Sequence, residues 1–351
     1  MALQVTCVEN GGNPQSASDI ERLGDGHFRV RPYSEDGDGN YKFALNVQVL
    51  NSGSEPETLT LDVDWDDAEY MSSRGLAYIG SGNDWCFVPG FVQGSVVTIQ
   101  HNLTPGTFTQ VGLSPAYGLQ DFVSFASLAE RLGFQRRTVG HSEEGRAIDS
   151  FELGEGGRRF LVTARFHPYE TSSSYCVEGL MAWLSTGGRE QEELLSRFTF
   201  SIVPMTNPDG VHMGLCKRTA VGGVDLSHEG ARGADATART LVRLIDDLRP
   251  FAFLDLHGWM YLDQDGIHHR NATVVERFQS QVRGCSLLRR NRWRVTDVSG
   301  TTSEGAIREY AWRRHGTEAI AVSLRWPPRT VAEMRALGGP ILWAFCASLP
   351  D

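Results

Sequence analysis

No stretch of this sequence is apolar for long enough to span a bilayer, so a membrane partner is not expected. Paired cysteines are missing too. Cys7, Cys86, Cys176, Cys216, Cys285 and Cys346 lie far apart without a C-x-x-C spacing, which argues against both a disulfide framework and a zinc ribbon and fits reduced thiols. Positive charge is in deficit, with 33 Lys and Arg against 43 Asp and Glu, and the resulting net charge of -10 excludes nucleic acid as a general partner because phosphate binding needs a basic face. Met1 to Val5 offers neither a basic n-region nor an apolar h-region, so secretion is not expected and a cytoplasmic location is. The sequence leaves the oligomeric state open.

Helical periodicity is absent from the first third of the 351 residues. What stands there is a set of short alternating runs, such as 41–49 and 58–63, split by Gly, Asn, Ser and Asp clusters. This pattern predicts an all-β antiparallel sandwich over residues 1–117, with Trp65, Trp85 and Phe87 as core side chains. After Ser114-Pro115-Ala116-Tyr117-Gly118 the character changes. Apolar runs at 160–164, 198–203, 251–256 and 319–324 alternate with amphipathic segments at 121–132, 175–184, 238–248, 273–287 and 331–349. The expectation for 118–351 is an α/β domain with a mixed, largely parallel sheet covered on both faces.

Ligands of such sheets bind at the carboxyl ends of strands. His167 and Glu170 sit just past the 160–164 run, and His257 just past the 251–256 run. A histidine and a carboxylate three residues apart can meet one divalent ion, but they leave a tetrahedral zinc half filled. His257 is the candidate third ligand, and a His, Glu, His set keeps a fourth position open, as a catalytic zinc requires. Asp225 could orient His167 through its other ring nitrogen. Arg218 could stabilise an oxyanion. Both also have plain structural readings, as a turn aspartate and a solvated surface arginine.

Four segments together resemble the zinc metallocarboxypeptidases, with the cytosolic carboxypeptidase branch most similar. They are Phe166-His167-Pro168-Tyr169-Glu170-Thr171, Pro204 to Val211, Arg218 through Gly223-Val224-Asp225-Leu226, and Asp255-Leu256-His257-Gly258. The Gly140 to Arg146 turn and the β-sandwich ahead of the peptidase domain are similar as well. The resemblance implies a carboxypeptidase-like fold, one Zn2+ ion on His167, Glu170 and His257, support of His167 by Asp225, and polarisation of the scissile carbonyl by Arg218.

Two departures from the family pattern stand out. Ser227-His228 replaces the Asn-Arg pair that holds the substrate's free carboxylate, and neither residue reproduces a bidentate guanidinium. Ala321-Val322-Ser323-Leu324-Arg325 occupies the stretch that carries the family's general-base glutamate. Aligning the leucines puts Ser323 at that position, and a two-residue shift puts Arg325 there. Glu318 needs a bulge to reach the metal, and Glu304 and Glu309 would have to enter from a preceding helix. His228 is a further proton acceptor. Two functions follow: a zinc-dependent hydrolase of a peptide or small amide with an altered base and carboxylate pocket, or a zinc-retaining pseudoenzyme that binds a peptide or protein.

Overall fold

A computed structural model describes residues 2–35, 44–65, 76–259, 264–289, 293–300, 304–327 and 329–350. Alternation of apolar and polar residues makes Asn46–Asn51 and Glu57–Asp64 strands with one buried face. Of the strand expected at 41–49, residues 41–43 lie outside the described residues. Leu3–Cys7, Asn46–Asn51, Phe108–Gly112, Leu76–Ser81 and Asp84–Pro89 form one antiparallel five-stranded sheet in that order. A second runs Ile20–Gly24, His27–Val30, Glu57–Asp64, Val96–Leu103 and Phe91–Gln93. It is antiparallel except where His27–Val30 pairs in parallel with Glu57–Asp64.

Val47, Ile79 and Val111 of the first sheet share a core with Val30, Leu61 and Ile99 of the second, and Trp65 is fully buried there. Trp85 instead joins the larger core of the α/β part. Phe87 departs from the expected core position. It is 38% exposed and only meets the Tyr78 ring edge-on, with ring centroids 5.6 Å apart, because Trp85 and Val88 are the buried positions of its strand.

The α/β part is an eight-stranded sheet in the order Gln135–His141, Ala147–Leu153, Phe198–Val203, Arg158–Ala164, Ala252–Trp259, Glu318–Arg325, Asp265–His269, Trp293–Asp297. Its four central strands, from Phe198–Val203 to Glu318–Arg325, are all parallel. Alternation sends Phe160, Val162, Leu254 and Val322 to one core and Leu161, Phe253 and Ala319 to another, so both faces are covered. Helices Thr171–Leu184 and Gly338–Ser348 pack on the first face, and Ala236–Leu248 and Ile307–His315 on the second.

The long helices expected at 273–287 and 331–349 are each broken in two, as Ala272–Val282 with Ser286–Arg289 and Val331–Ala336 with Gly338–Ser348. The second break has a clear cause. A Cβ on Gly338 would lie 2.2 Å from the Leu180 nitrogen, and one on Gly179 would lie 1.8 Å from the Arg335 carbonyl oxygen. The chain turns where two glycines let backbones touch. All six cysteines are free, and no described helix is long and apolar enough to cross a membrane.

Candidate metal centre

Two strand ends and one helix start build the centre. Past Ala164 the chain takes a left-handed residue, Arg165 at φ 61°, and reaches Glu170, the N-cap of Thr171–Leu184. The Arg165 guanidinium is almost wholly buried and holds this turn by donating to the Tyr117 carbonyl and Ser174 Oγ, each at 3.0 Å, and to the Pro168 carbonyl. Burial lowers its pKa to about 10, against the pull of nearby Tyr117 and Glu170. His257 arrives on the neighbouring strand. Gly258 beside it is pressed against the turn, since a Cβ there would meet Ser172 Oγ at 2.6 Å and Glu170 Cβ at 3.1 Å.

The two imidazoles converge on one carboxylate. His167 Nδ1 lies 2.8 Å from Glu170 Oε1, and His257 Nδ1 lies 2.9 Å from Glu170 Oε2. Each ring has a second carboxylate on its other nitrogen: Asp225 Oδ1 at 3.2 Å from His167 Nε2, and Asp255 Oδ2 at 2.7 Å from His257 Nε2. Asp225 also caps Leu226–Glu229, accepting from the amides of Ser227 and His228. Asp255 accepts from Thr163 Oγ1 at 2.8 Å.

All of these groups are buried, and their charges shape one another. Burial works against the Glu170 and Asp255 charges, but the paired imidazoles, joined at Asp255 by Arg308, hold both carboxyls down at about 2. Burial likewise opposes charge on His257, yet Asp255 and Glu170 raise it to about 10. An imidazole with a carboxylate on each nitrogen must carry two protons or exchange one for a cation. The His167, Glu170 and His257 donor atoms lie within 4.8 Å of one another, and zinc ligands about 2.1 Å from the ion stand roughly 3.4 Å apart, so the donor set can hold a metal ion.

Residues 134–258, which span all three donors, match the zinc carboxypeptidase family. That segment is similar to a zinc carboxypeptidase domain. Cytosolic carboxypeptidase 3 of Bos taurus is 32% identical over 105 residues, covering 28% of this chain and 10% of the relative. Cytosolic carboxypeptidase 6 of Mus musculus is 26% identical over 198 residues, covering 52% of this chain and 36% of the relative. The chain thus spans only a minor part of these curated relatives. Among solved structures, the metallo-carboxypeptidase from Burkholderia cenocepacia shares the fold over 99% of both chains, with a TM-score of 0.83 at 19% identity. A metallo-carboxypeptidase from Pseudomonas aeruginosa in complex with (2-guanidinoethylmercapto)succinic acid shares it over 97% of both chains, with a TM-score of 0.79 at 17% identity.

Within the matched segment and the strands beyond it, the remaining candidates fall in different places. Ser323 is in register with His257 on the adjacent parallel strand, so both side chains point to one face, and Arg325 follows two residues on. Glu318 is at the other end of that strand. The register from Glu318 to Arg325 is unbroken, with no bulge, so Glu318 lies five residues, about 17 Å, from Ser323. It accepts from Asn271 Nδ2 at 2.9 Å. Glu309 is held by Arg270 and Arg313. Arg218 donates through Nη1 to the Gly223 carbonyl at 2.8 Å and lies 3.3 Å from Glu229, while the cation that reaches Asp225 is Lys217, whose Nζ is 3.1 Å from Oδ2.

Arg308, from helix Ile307–His315, carried no sequence signal. Its Nη1 donates to Asp255 and sits 3.3 Å from both Ser227 Oγ and His257 Nε2. His268 is in register with Ala321, on the face shared by Asp255 and Ser323. Desolvation and Arg308 lower the half-buried His268 to about 4; desolvation and Lys217 lower His228 as well, although its side chain is exposed and Asp225 pulls it the other way. Both rings are therefore neutral near pH 7.

Proposed function

We propose that this protein is a zinc-dependent hydrolase of a peptide or related amide bond, resident in the cytoplasm, with a catalytic unit of about residues 118–351 and an accessory sandwich of about 1–117. The carrying observation is the pair of imidazoles that share the Glu170 carboxylate on one side and are held by Asp225 and Asp255 on the other. His167, Glu170 and His257 would hold a zinc ion there, which would supply Lewis-acid polarisation of an amide carbonyl and an acidified water near neutral pH. Asp225 and Asp255 fix the ring orientations of His167 and His257, a role such outer carboxylates commonly fill.

The chain's own residues supply the rest. Lys217 at Asp225 and Arg308 at Asp255 bring positive charge to the aspartates behind the two histidines. Arg308 brings a guanidinium to Ser227, where the resembled family has its Asn-Arg pair, and so offers the charge that a substrate carboxylate would need. Ser227 and His228 complete that pocket. His228, beside Asp225 on Leu226–Glu229, is the candidate acceptor for the proton that the family's glutamate would take.

A second reading, a peptide-binding pseudoenzyme, is favoured by the stretch from Ala321 to Arg325, which carries no carboxylate where the resembled family has its base, with Ser323 or Arg325 at that position. Incubation with a mixed library of peptides and acyl-amino acids, followed by mass spectrometry, separates the two. Turnover that Glu170→Ala abolishes supports the hydrolase. Zinc-dependent retention of a peptide without products supports the binding role, and the absence of zinc from the purified protein rejects both.

A further inference from the structure

Three consecutive amides of the loop ahead of Asp225 converge on one carboxylate from the sandwich. Glu35 Oε2 accepts from the Cys216 amide at 3.0 Å, and Oε1 accepts from the amides of Lys217 and, at 2.7 Å, Arg218. Successive N–H groups curled this way form an anion-binding concavity. Here the anion is the protein's own. The surrounding contacts extend the same grip. The Gly11 amide donates to the His212 carbonyl at 2.8 Å, and Asn13 Nδ2 donates to the Gly214 carbonyl at 3.1 Å. Gly214, at φ 63°, approaches so closely that a Cβ on it would lie 2.1 Å from the Gly12 carbonyl oxygen.

The carbonyls of the same loop face the metal turn. Cys216 O accepts from the Tyr169 amide at 3.3 Å, and Arg218 O accepts from Asn207 Nδ2 at 3.1 Å. Between these two attachments Lys217 extends to Asp225 Oδ2 at 3.1 Å, and Asp225 Oδ1 meets His167 Nε2 at 3.2 Å. One path of direct contacts therefore runs from the sandwich to a metal ligand: Glu35, the 216–218 backbone, Lys217, Asp225, His167.

We infer that Glu35 is a positioning residue of the metal site: it fixes the loop that sets Lys217 against Asp225, and so the orientation of the His167 ring. The accessory sandwich is thereby part of the metal-holding apparatus. The inference rests on the proposed zinc reading. Charge suits the role, because an ionised acceptor holds backbone amides more strongly than a neutral one. Both oxygens are used, and Oε1 alone serves two amides, so a glutamine retains part of the grip while an alanine leaves three amides without their partner.

The test is zinc affinity, measured by chelator competition on the full chain, for wild type, Glu35→Ala, Glu35→Gln, Lys217→Met and the double variant Glu35→Ala/Lys217→Met. Outer partners of metal ligands typically contribute 10–100-fold in affinity. At one step further removed, Glu35→Ala is expected to weaken zinc by roughly tenfold, Glu35→Gln by less, and the double variant by no more than the weaker-binding single. That non-additivity separates action through Lys217 from general damage to the fold, and the isosteric Glu35→Gln keeps the comparison available if Glu35→Ala folds poorly. Unchanged affinity in both Glu35 variants, or fully additive losses in the double variant, overturns the inference alone. A wild-type chain that binds no zinc overturns the metal reading and the inference with it.

Discussion

His257 and Ser323 stand directly opposite one another on adjacent parallel strands, with their side chains on the same face of the sheet. A carboxylate introduced at 323 therefore projects to the same face as His257, the proposed metal ligand. Ser323→Glu is expected to raise kcat on a peptide substrate by on the order of a hundredfold, the scale of general-base help. Steady-state kinetics on purified variants measure this, and an unchanged kcat would show that position 323 does not face the reacting bond.

Asp225 and Asp255 hold the outer nitrogens of the two histidines. Asp225→Asn and Asp255→Asn should each weaken zinc by about 10–100-fold. The larger loss is expected for Asp255→Asn, because that change also leaves Arg308 without its carboxylate. Competition with a zinc chelator reads both values, and equal binding in all three proteins would remove the aspartates from the site.

His268 connects the site to pH. Its folded-state value of about 4 lies below the roughly 6.5 of an unfolded histidine, so between these values the unfolded chain holds more protons. The corresponding stability is present above about pH 6.5 and is lost as pH falls toward 4. In zinc-stripped protein, His268→Gln should flatten this slope by on the order of 1–2 kcal/mol. Urea titrations across that range measure it, with parallel wild-type and variant profiles as the contrary result.

Gly338→Ala tests the packing beneath the site. Its new methyl meets the Leu180 backbone at 2.2 Å, which no rotamer change relieves. A loss of about 1–3 kcal/mol in unfolding free energy is expected, and a thermal or urea melt within error of wild type would contradict the close approach.

The sequence made much of this molecule legible because its strongest signals are local. Alternation marked the sandwich strands, and four apolar runs marked the central parallel strands. His167 and Glu170 share one turn, and His257 follows its strand without a gap. Broken helices were harder to see, since Gly338 and Gly339 interrupt an otherwise apolar segment and the break follows from tertiary contacts with Gly179, Leu180 and Trp183. Arg308, Lys217, His268 and Glu35 were illegible for a different reason. Each comes from a separate element and meets the site only through tertiary contact, so no spacing records it. Glu318 shows the reverse error: a carboxylate near in sequence that the straight register carries to the far end of its strand.

Gly258 carries a last consequence. Because the His257 strand rests against the Glu170 turn with room for only a hydrogen between them, the separation of the two ligands is gauged by backbone thickness rather than by the ion. Any side chain at 258 would push the His257 strand off the Glu170 turn and part His257 from the carboxylate it shares with His167.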